Sequence, residues 1–284
     1  MKKITPKVTV ACITFNHAPY ILKCLEGIFM QVCDFDFEVI IHDDCSTDGT
    51  QDIIKEYVRP YKDKVRLILQ DVNQYSQGKK PLIDFILPVA RGKYIAFCEG
   101  DDYWTDPLKL QKQVDFLEKH PNLSFCSHEV ERITENDELL MSSEEKTEVL
   151  YFERDKIVQN YFPTLSLVFR NIELGYNEDL LKAFNGDAVL VTLLSVHGGA
   201  AHLPFIGARY RVHSKGIYSG EAYLNNMVKS LDSRLIILKH AKLDSLIRDE
   251  LGSEIKRRRW KIVKRAIREV NFRILFKYLF LKWR

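Results

Sequence analysis

Residues 7–15 of the chain read KVTVACITF. It is rich in β-branched residues and nearly all apolar, which is typical of a parallel strand covered on both faces. Residues 20–30 follow with apolar side chains at helical spacing. The same reasoning predicts strands at 37–41, 65–70, 94–98 and 165–169, and helices at 50–58, from the end of the 71–80 loop to about residue 90, and from residue 221 onwards. Repeated βα units of this kind require a parallel sheet with right-handed crossovers.

The composition is that of a globular protein. Of 284 residues, 46% are hydrophobic and 29% are charged, which excludes disordered and collagenous classes. The sequence contains no run of eighteen apolar residues, so it predicts no membrane-spanning helix. The apolar run after Met1-Lys2-Lys3 is too short for a signal peptide, and we therefore expect a cytoplasmic chain. The six cysteines form no C-x-x-C pair, which favours small buried thiols over zinc or disulfides.

The charge is distributed unevenly along the chain. Residues 253–284 contain twelve Lys or Arg and two Glu, a balance of +10, which leaves −7 for residues 1–252 of a chain whose net charge is +3. Within 255–284 the basic residues alternate with bulky apolar ones, including Trp260 and Trp283. This pattern predicts a basic amphipathic helix that binds an anionic membrane surface. The alternatives are packing of its apolar side on the body of the protein and, less favoured, nucleic-acid binding.

In parallel sheets, ligands bind beyond the carboxyl ends of the strands, which here are the loops 14–17, 42–48 and 99–104. Glu99, Asp101 and Asp102 lie within four residues of each other in the last of these loops. Like charges so close together favour a bound cation, and oxygen ligands in an open site suit Mg²⁺ or Mn²⁺. A solvated acidic turn that caps the next helix is the alternative. Asp43 and Asp44, at a second strand end, favour the cation.

Three segments in order resemble the signature of family 2 glycosyltransferases: residues 10–16 (VACITFN), 43–50 (DDCSTDGT) and 92–104 (GKYIAFCEGDDYW). The resemblance implies a GT-A fold, an inverting mechanism, a divalent metal and a nucleotide-sugar donor. It implies that Thr14, Phe15 and Asn16 line the nucleotide pocket. It also implies that Asp44, with Asp43 beside it, accepts a hydrogen bond from the imide N–H of uracil or thymine.

The resemblance extends to the metal and the donor phosphates. The metal, Mn²⁺ or Mg²⁺, would be held by Asp101 and Asp102, with Glu99 as a helper because the family usually has Asp at that position. Trp104 is the last residue of this motif and is a candidate contact for the substrate. Asn73 and Lys80, in the polar loop after the third strand, are candidates to cover the diphosphate, although a solvated loop is equally compatible with the sequence.

The second half of the chain supplies further candidates. Asp187 matches the family position of the general base, with Glu178 and Asp179 as fallbacks, although a helix-capping role for Asp187 is also open. The segment Arg209–Ser214 resembles the Tyr-Arg-x-His element of the family. In it, Arg211 would offset phosphate charge and His213 would reach the metal or the diphosphate. Ser166 is a candidate contact for the sugar.

These candidates together predict an inverting transferase that moves a sugar from a UDP-sugar to a glycan or lipid-linked acceptor in bacterial cell-surface polysaccharide synthesis. We expect a nucleotide-sugar half at 1–125, an acceptor and base half at 126–217 and a helical region at 218–284, located at the cytoplasmic face of the inner membrane. A non-catalytic, membrane-associated nucleotide-sugar or glycan binding module is the alternative. A nucleotidyltransferase lacks its Gly-rich basic loop here, and a dehydrogenase lacks G-x-G-x-x-G after the first strand.

Overall fold

The structure is a computed structural model that describes residues 5–142, 146–214, 216 and 223–279. The described chain forms two compact units. Unit 1 takes its residues from Met1–Phe152, Phe162–Glu173 and Gly198–Val212, and unit 2 from Glu153–Tyr161, Leu174–His197 and His213–Arg284. Glu221, where the helical pattern was expected to begin, and residues 280–284 of the basic tail, Trp283 among them, lie outside the described residues.

Unit 1 is built on one mixed sheet. Its strands are β1 (Val8–Thr14), β2 (Phe37–Asp43), β3 (Val65–Leu69), β4 (Tyr94–Glu99), β5 (Tyr103–Trp104), β6 (Leu123–Thr134), β7 (Leu139–Met141), β8 (Leu150–Phe152), β9 (Val168–Arg170) and β10 (Gly199–Val212). Their order is β3-β2-β1-β4-β9-β6-β10-β5, with β7 paired to β6 and β8 to β10. The first four strands in this order run parallel, as predicted, and β6 and β10 form a second parallel ladder. The predicted α/β class with a mostly parallel sheet is confirmed.

Helices cover this sheet. They are α1 (Ile21–Phe29), α2 (Thr50–Tyr57) and α3 (Lys109–Lys119). The buried face of α1 carries Ile21, Leu25 and Ile28, which join the apolar core that β1, β2 and β4 form. A side chain at Gly27 would place its Cβ 2.7 Å from the carbonyl oxygen of Trp104, so glycine permits the close approach of α1 to β5.

Two predicted elements differ from the structure. The regular helix expected up to residue 90 is instead a π-helical turn, Leu82–Ile86, followed by a 3-10 turn, Leu87–Val89. Pro88 has no N–H to donate and its ring clashes with the carbonyl four residues earlier, so α-helical hydrogen bonding cannot continue. The strand expected at 165–169 begins only at Val168, because a 3-10 turn occupies Thr164–Ser166.

Unit 2 is helical, and its helices are α4 (Glu178–Leu181), α5 (Gly186–His197), α6 (Tyr223–His240), α7 (Ser245–Arg268) and α8 (Phe272–Leu279). The helix α7 packs against α6, α8 and a 3-10 turn, Arg154–Gln159. The helical character predicted for the C-terminal region is therefore confirmed over its described part. Within that part of the chain, no helix is both long and apolar enough to cross a membrane.

Candidate functional site

The loops after β1, β2 and β4 leave the sheet side by side. Thr14 pairs with Asp43, and Ile13 pairs with Glu99, in parallel register. The carboxyl ends of the three strands therefore lie at one edge of the sheet, and the polar segments that follow them are neighbours. This edge is the position that the sequence predicted for a ligand site.

Asn16 fastens the first of these loops to the second. It adopts a left-handed backbone conformation with φ 54°, which Asn tolerates better than most residues. Its N–H donates to Ser46 Oγ at 2.7 Å and its Oδ1 accepts from the Thr47 N–H at 2.9 Å. Phe15 stands beside it with 43% of its surface exposed, whereas Thr14 is buried. Of the three residues expected in a nucleotide pocket, Phe15 therefore offers the largest accessible surface.

Asp43 and Asp44 are both buried and organise the neighbouring loops. Asp43 accepts hydrogen bonds from the Ser46 N–H at 2.9 Å and from Gln51 Nε2 at 2.7 Å. Asp44 accepts from the backbone N–H groups of Gln74 at 2.7 Å and Tyr75 at 3.0 Å. An ionised carboxylate has about four acceptor sites, so these two bonds leave Asp44 with capacity for a further donor.

The loop after β3 is thereby folded onto Asp44. Asn73 Nδ2 lies 3.3 Å from the Asp44 carbonyl oxygen, so this predicted residue belongs to the same cluster. Lys80 Nζ lies 4.9 Å from the Tyr75 ring centroid. Burial lowers the pKa of Lys80, with Asp84 acting in the opposite sense. The Lys80 amine is thus held against an aromatic ring near the site.

The acidic segment follows β4. The Gly100 N–H donates to the Ile13 carbonyl oxygen at 2.8 Å, and a Cβ at Gly100 would lie 2.7 Å from Thr14 Oγ1. Asp101 Oδ2 lies 3.7 Å from His17 Nε2 in the loop after β1. The segment is therefore packed directly against the first loop, and only a glycine fits at its closest point.

Asp102 is 2% exposed, and its Oδ1 accepts the Arg211 backbone N–H at 2.7 Å. Burial raises the pKa of Asp102 well above the usual range, with Asp101 and Glu99 adding to the effect. The backbone N–H and the guanidinium of Arg211 oppose this rise. Three neighbouring carboxylates with this electrostatic conflict are a chemically suitable environment for a cation.

Arg211 ties the acidic segment to the turn between β6 and β7. Its Nε donates to the Asp101 carbonyl oxygen at 2.9 Å, its Nη1 to the carbonyl oxygens of Thr134 and Glu135, and its Nη2 to Asp137 Oδ1 at 2.8 Å. The side chain is 1% exposed. Four of its five N–H groups serve these contacts, so one remains for the phosphate contact expected of it.

Trp104 and Ser166 lie behind the acidic segment. Both are buried, and Trp104 Nε1 donates to the Leu165 carbonyl oxygen at 3.0 Å. Ser166 Oγ donates to the Pro163 carbonyl oxygen at 2.6 Å. Lys109 Nζ lies 4.1 Å from the Trp104 ring centroid. In this structure both predicted substrate contacts are therefore buried, and each donates a hydrogen bond to the backbone of the segment 163–165.

The remaining candidates belong to unit 2. Asp187 lies in the first turn of α5, is half-buried, and accepts the Ala188 N–H at 2.8 Å. The fallback Asp179 is held by Lys182 at 2.6 Å and by His240 at 3.1 Å, whereas Glu178 is exposed. His213 is buried and directly follows β10. The side chain of Asp187 is thus less engaged in ion pairs than that of Asp179.

The oxygen ligands in this segment fit a divalent cation whose coordination the protein shares with substrate phosphates. Across the described residues, no group of three or more His, Cys, Asp or Glu side chains is arranged to hold a metal ion. Mg²⁺ is usually bound through one or two carboxylates together with substrate phosphates. Asp101, whose side chain is 20% exposed, and the buried Asp102 supply a pair of that kind.

Sequence reasoning missed four contributors to this edge. His17 contacts Asp101, and Tyr20 lies 4.6 Å from the Arg211 guanidinium. Asp137 receives Arg211, and Lys23 from α1 forms an ion pair with the same carboxylate. His17 and Tyr20 were available as neighbours of the first loop. The turn that carries Asp137 is more than thirty residues beyond the acidic segment, and only tertiary structure brings it there.

Comparison with known proteins identifies the family to which the chain belongs. Residues 9–175 match the family described as "Glycosyl transferase family 2". The uncharacterized protein Rv1520 of Mycobacterium tuberculosis is 38% identical over 216 residues, which cover 74% of this chain and 60% of that protein. The chain thus spans about 60% of the length of the first curated relatives that it matches.

Solved structures share the fold. Staphylococcus aureus TarS in complex with UDP-GlcNAc has a TM-score of 0.65 at 21% identity, over 90% of this chain and 73% of that chain. The Pyrobaculum calidifontis mannosyltransferase PcManGT, in complex with GDP-Man and Mn²⁺, has a TM-score of 0.62 at 18% identity, over 93% and 76%. The chain therefore has the GT-A fold of these glycosyltransferases. The chain belongs to glycosyl transferase family 2.

Proposed function

We propose that the chain transfers a sugar from a UDP-sugar to a hydroxyl of a glycan or lipid-linked acceptor, with inversion, in bacterial cell-surface polysaccharide synthesis. The observation that carries this proposal is the convergence of the loops after β1, β2 and β4 around Asp44, Asp101 and Asp102. In this proposal residues 1–125 bind the donor, 126–217 bind the acceptor and supply the base, and 218–284 form a helical extension.

Asp44 is proposed to recognise the nucleobase through a hydrogen bond. Its carboxylate is already oriented by the N–H groups of Gln74 and Tyr75, so it can accept the uracil imide N–H without reorganising. Thr14, Phe15 and Asn16 would border the base and ribose, and Asp43 would keep the loop in place through Ser46. The UDP-GlcNAc complex of TarS supports a UDP donor, whereas GDP-Man in PcManGT makes guanine the natural competitor in a binding test.

Asp101 and Asp102, with His213, are proposed to hold Mn²⁺ or Mg²⁺, and Glu99 would assist them. Such an ion stabilises negative charge on the departing diphosphate. Asn73 and Lys80 would face the diphosphate from the loop after β3, and the remaining N–H of Arg211 would add a charge-assisted hydrogen bond. Trp104 and Ser166 would contact the substrate, Ser166 at the sugar.

Asp187 is proposed to remove the proton of the acceptor hydroxyl as the new bond forms. With the acceptor on one face of the sugar and the diphosphate leaving from the other, a single displacement inverts the anomeric carbon. The reaction is proposed to take place at the cytoplasmic face of the bacterial inner membrane. The six cysteines, all free thiols and four of them buried, are compatible with a reducing compartment.

Isothermal titration of UDP, GDP and ADP in the presence of Mn²⁺ tests the proposal. We expect UDP to bind most tightly, and Asp44→Ala to erode that preference while Asp52→Ala, an exposed acid on α2, leaves it unchanged. Equal affinity for GDP would contradict the assignment of Asp44. UDP binding without hydrolysis or transfer of any UDP-sugar would favour a binding module instead.

A further inference from the structure

The predicted membrane helix has its main apolar side occupied. In unit 2, Ile255, Ile262, Val263 and Ala266 of α7 are buried. The neighbouring α8 is held by Tyr278, which is also buried and whose hydroxyl donates to Asp232 Oδ1 at 2.7 Å. These side chains stabilise unit 2 and cannot enter a bilayer while it remains folded. Any membrane contact must therefore use the opposite side of α7 and α8.

That opposite side carries large apolar side chains that are more than half exposed. The exposed fractions are 55% for Trp260, 58% for Ile267, 65% for Val270, 60% for Phe272 and 59% for Phe276. Trp260 and Ile267 are seven residues apart, two turns of α7, and Phe272 and Phe276 are one turn apart on α8. We call these five residues the outer face.

The two helices that carry the outer face also carry exposed cations. Lys264 and Arg268 are exposed one and two turns of α7 beyond Trp260, Lys261 is exposed next to Trp260 in the sequence, and Arg273 is exposed on α8. None of these four forms an ion pair within the described residues. Several other basic residues of these helices form ion pairs: Arg257 and Arg258 with Glu254, Arg265 with Glu269, and Lys277 with Asp232. Within the described residues, three cations of α7 and one of α8 are therefore left without a counter-charge.

We infer that the outer face binds the surface of an anionic phospholipid bilayer, with its aromatic and aliphatic side chains in the headgroup region and its four cations at the lipid phosphates. A bilayer of this kind matches both features at once. A nucleic acid would match the cations and leave the aliphatic residues in water. A second copy of the chain would place like charges together, because Glu269 is the only acidic residue in the sequence from 260 to 279 and Arg265 already engages it.

This inference deepens the proposed membrane association and rests on that proposal for the compartment alone. It also changes which residues the association uses, since Ile262 and Val263 are removed from the contact and Trp260 and Phe276 remain. Donor binding is not involved, so vesicle binding and nucleotide binding can fail separately.

Co-sedimentation of the full chain with vesicles, some containing phosphatidylglycerol and others pure phosphatidylcholine, tests the inference. We expect binding to the anionic vesicles that weakens with salt. Lys261→Gln with Lys264→Gln should lower the partition coefficient about 25-fold, because each basic residue contributes on the order of 1 kcal/mol at such a surface. Trp260→Ser should lower the binding that persists at high salt. Leu246→Ser, 70% exposed at the start of α7, is the matched apolar control.

The fold of each variant is checked by thermal melting and by UDP titration, both of which should match the unaltered chain because every altered side chain is exposed. Full-length protein that ignores anionic vesicles overturns the inference, as does equal binding by the double lysine variant. Tighter binding to a single-stranded oligonucleotide at equal salt would identify nucleic acid as the partner. A dimer in sedimentation velocity that Trp260→Ser dissociates would identify a second copy.

Discussion

Lys109→Met should stabilise the protein, and the gain should shrink as the pH rises from 7 to 9. Lys109 is completely buried at the start of α3, and its Nζ has no hydrogen-bond partner within the described residues. The Nζ atom lies 4.1 Å from the centroid of the Trp104 ring. Burial lowers the pKa of this amine to about 7. Methionine has a similar length and brings no charge.

The direction and the magnitude of this change in stability with pH follow from proton linkage. The unfolded lysine has a pKa of ~10.4, so between pH 7 and that value the unfolded chain binds more protons than the folded one. Stability therefore rises with pH in this window, and below pH 7 the cost of the buried amine is fully present. Integration from pH 7 to pH 9 gives about 2 kcal/mol. Buried thiols such as Cys126, whose pKa is raised to about 12, act in the opposite sense, but they are common to both proteins and cancel in the difference.

Urea unfolding followed by far-ultraviolet circular dichroism at pH 7, 8 and 9 measures this difference. The free energy of unfolding of Lys109→Met minus that of the unaltered protein should fall by ~2 kcal/mol across the series. Lys119→Met, at the exposed end of the same helix, should show no such trend. A difference that is constant with pH would mean that water reaches the Lys109 amine, and the reasoning about its burial would be wrong.

Three further predictions concern the site. Gly100→Ala should weaken UDP binding at least tenfold in calorimetry, because its Cβ would lie 2.7 Å from Thr14 Oγ1 and the segment must shift; unchanged affinity would contradict the close packing. Asp137→Asn should lower kcat more than it raises the Kd for UDP, since it loosens the Arg211 anchor; equal changes would point to a general loss of structure. Asp187→Asn should reduce kcat by ~10² to 10⁴ with UDP affinity retained, and normal turnover would exclude it as the base.

The position of the acidic residues at one edge of the sheet was predictable because the signals in the sequence are local. The strands β1, β2 and β4 are short apolar runs, each followed at once by polar residues, and parallel pairing must bring those ends together. Asp44, Asp101 and Asp102 were therefore predictable as neighbours of one edge. Even the failure at residues 81–90 had a local cause, Pro88, whose effect on helical hydrogen bonding the periodicity of the apolar residues does not report.

The parts that sequence reasoning did not recover depend on contacts between distant segments. The parallel ladder of β6 with β10 joins residues about 75 positions apart, for example Cys126 with Ala201. Nothing in the sequence indicated that the Arg211 guanidinium also donates to the carbonyl oxygens of Thr134 and Glu135, because these residues lie more than seventy positions earlier in the chain. On α7, periodicity identifies an apolar side correctly but does not say whether a bilayer or unit 2 covers it. The burial of Ile262 and Val263 shows that unit 2 covers the larger apolar side of α7, but it does not show what contacts the exposed apolar residues on the other side.

The most direct test of the proposed function is nucleotide release from a panel of UDP-sugars and GDP-mannose in the presence of Mn²⁺, for the unaltered chain and for Asp101→Asn. We predict slow release of UDP from at least one UDP-sugar, acceleration by a glycan acceptor, and loss of both the turnover and its dependence on Mn²⁺ in the variant. GDP release from GDP-mannose at the same rate, or full activity of Asp101→Asn, would contradict the proposal.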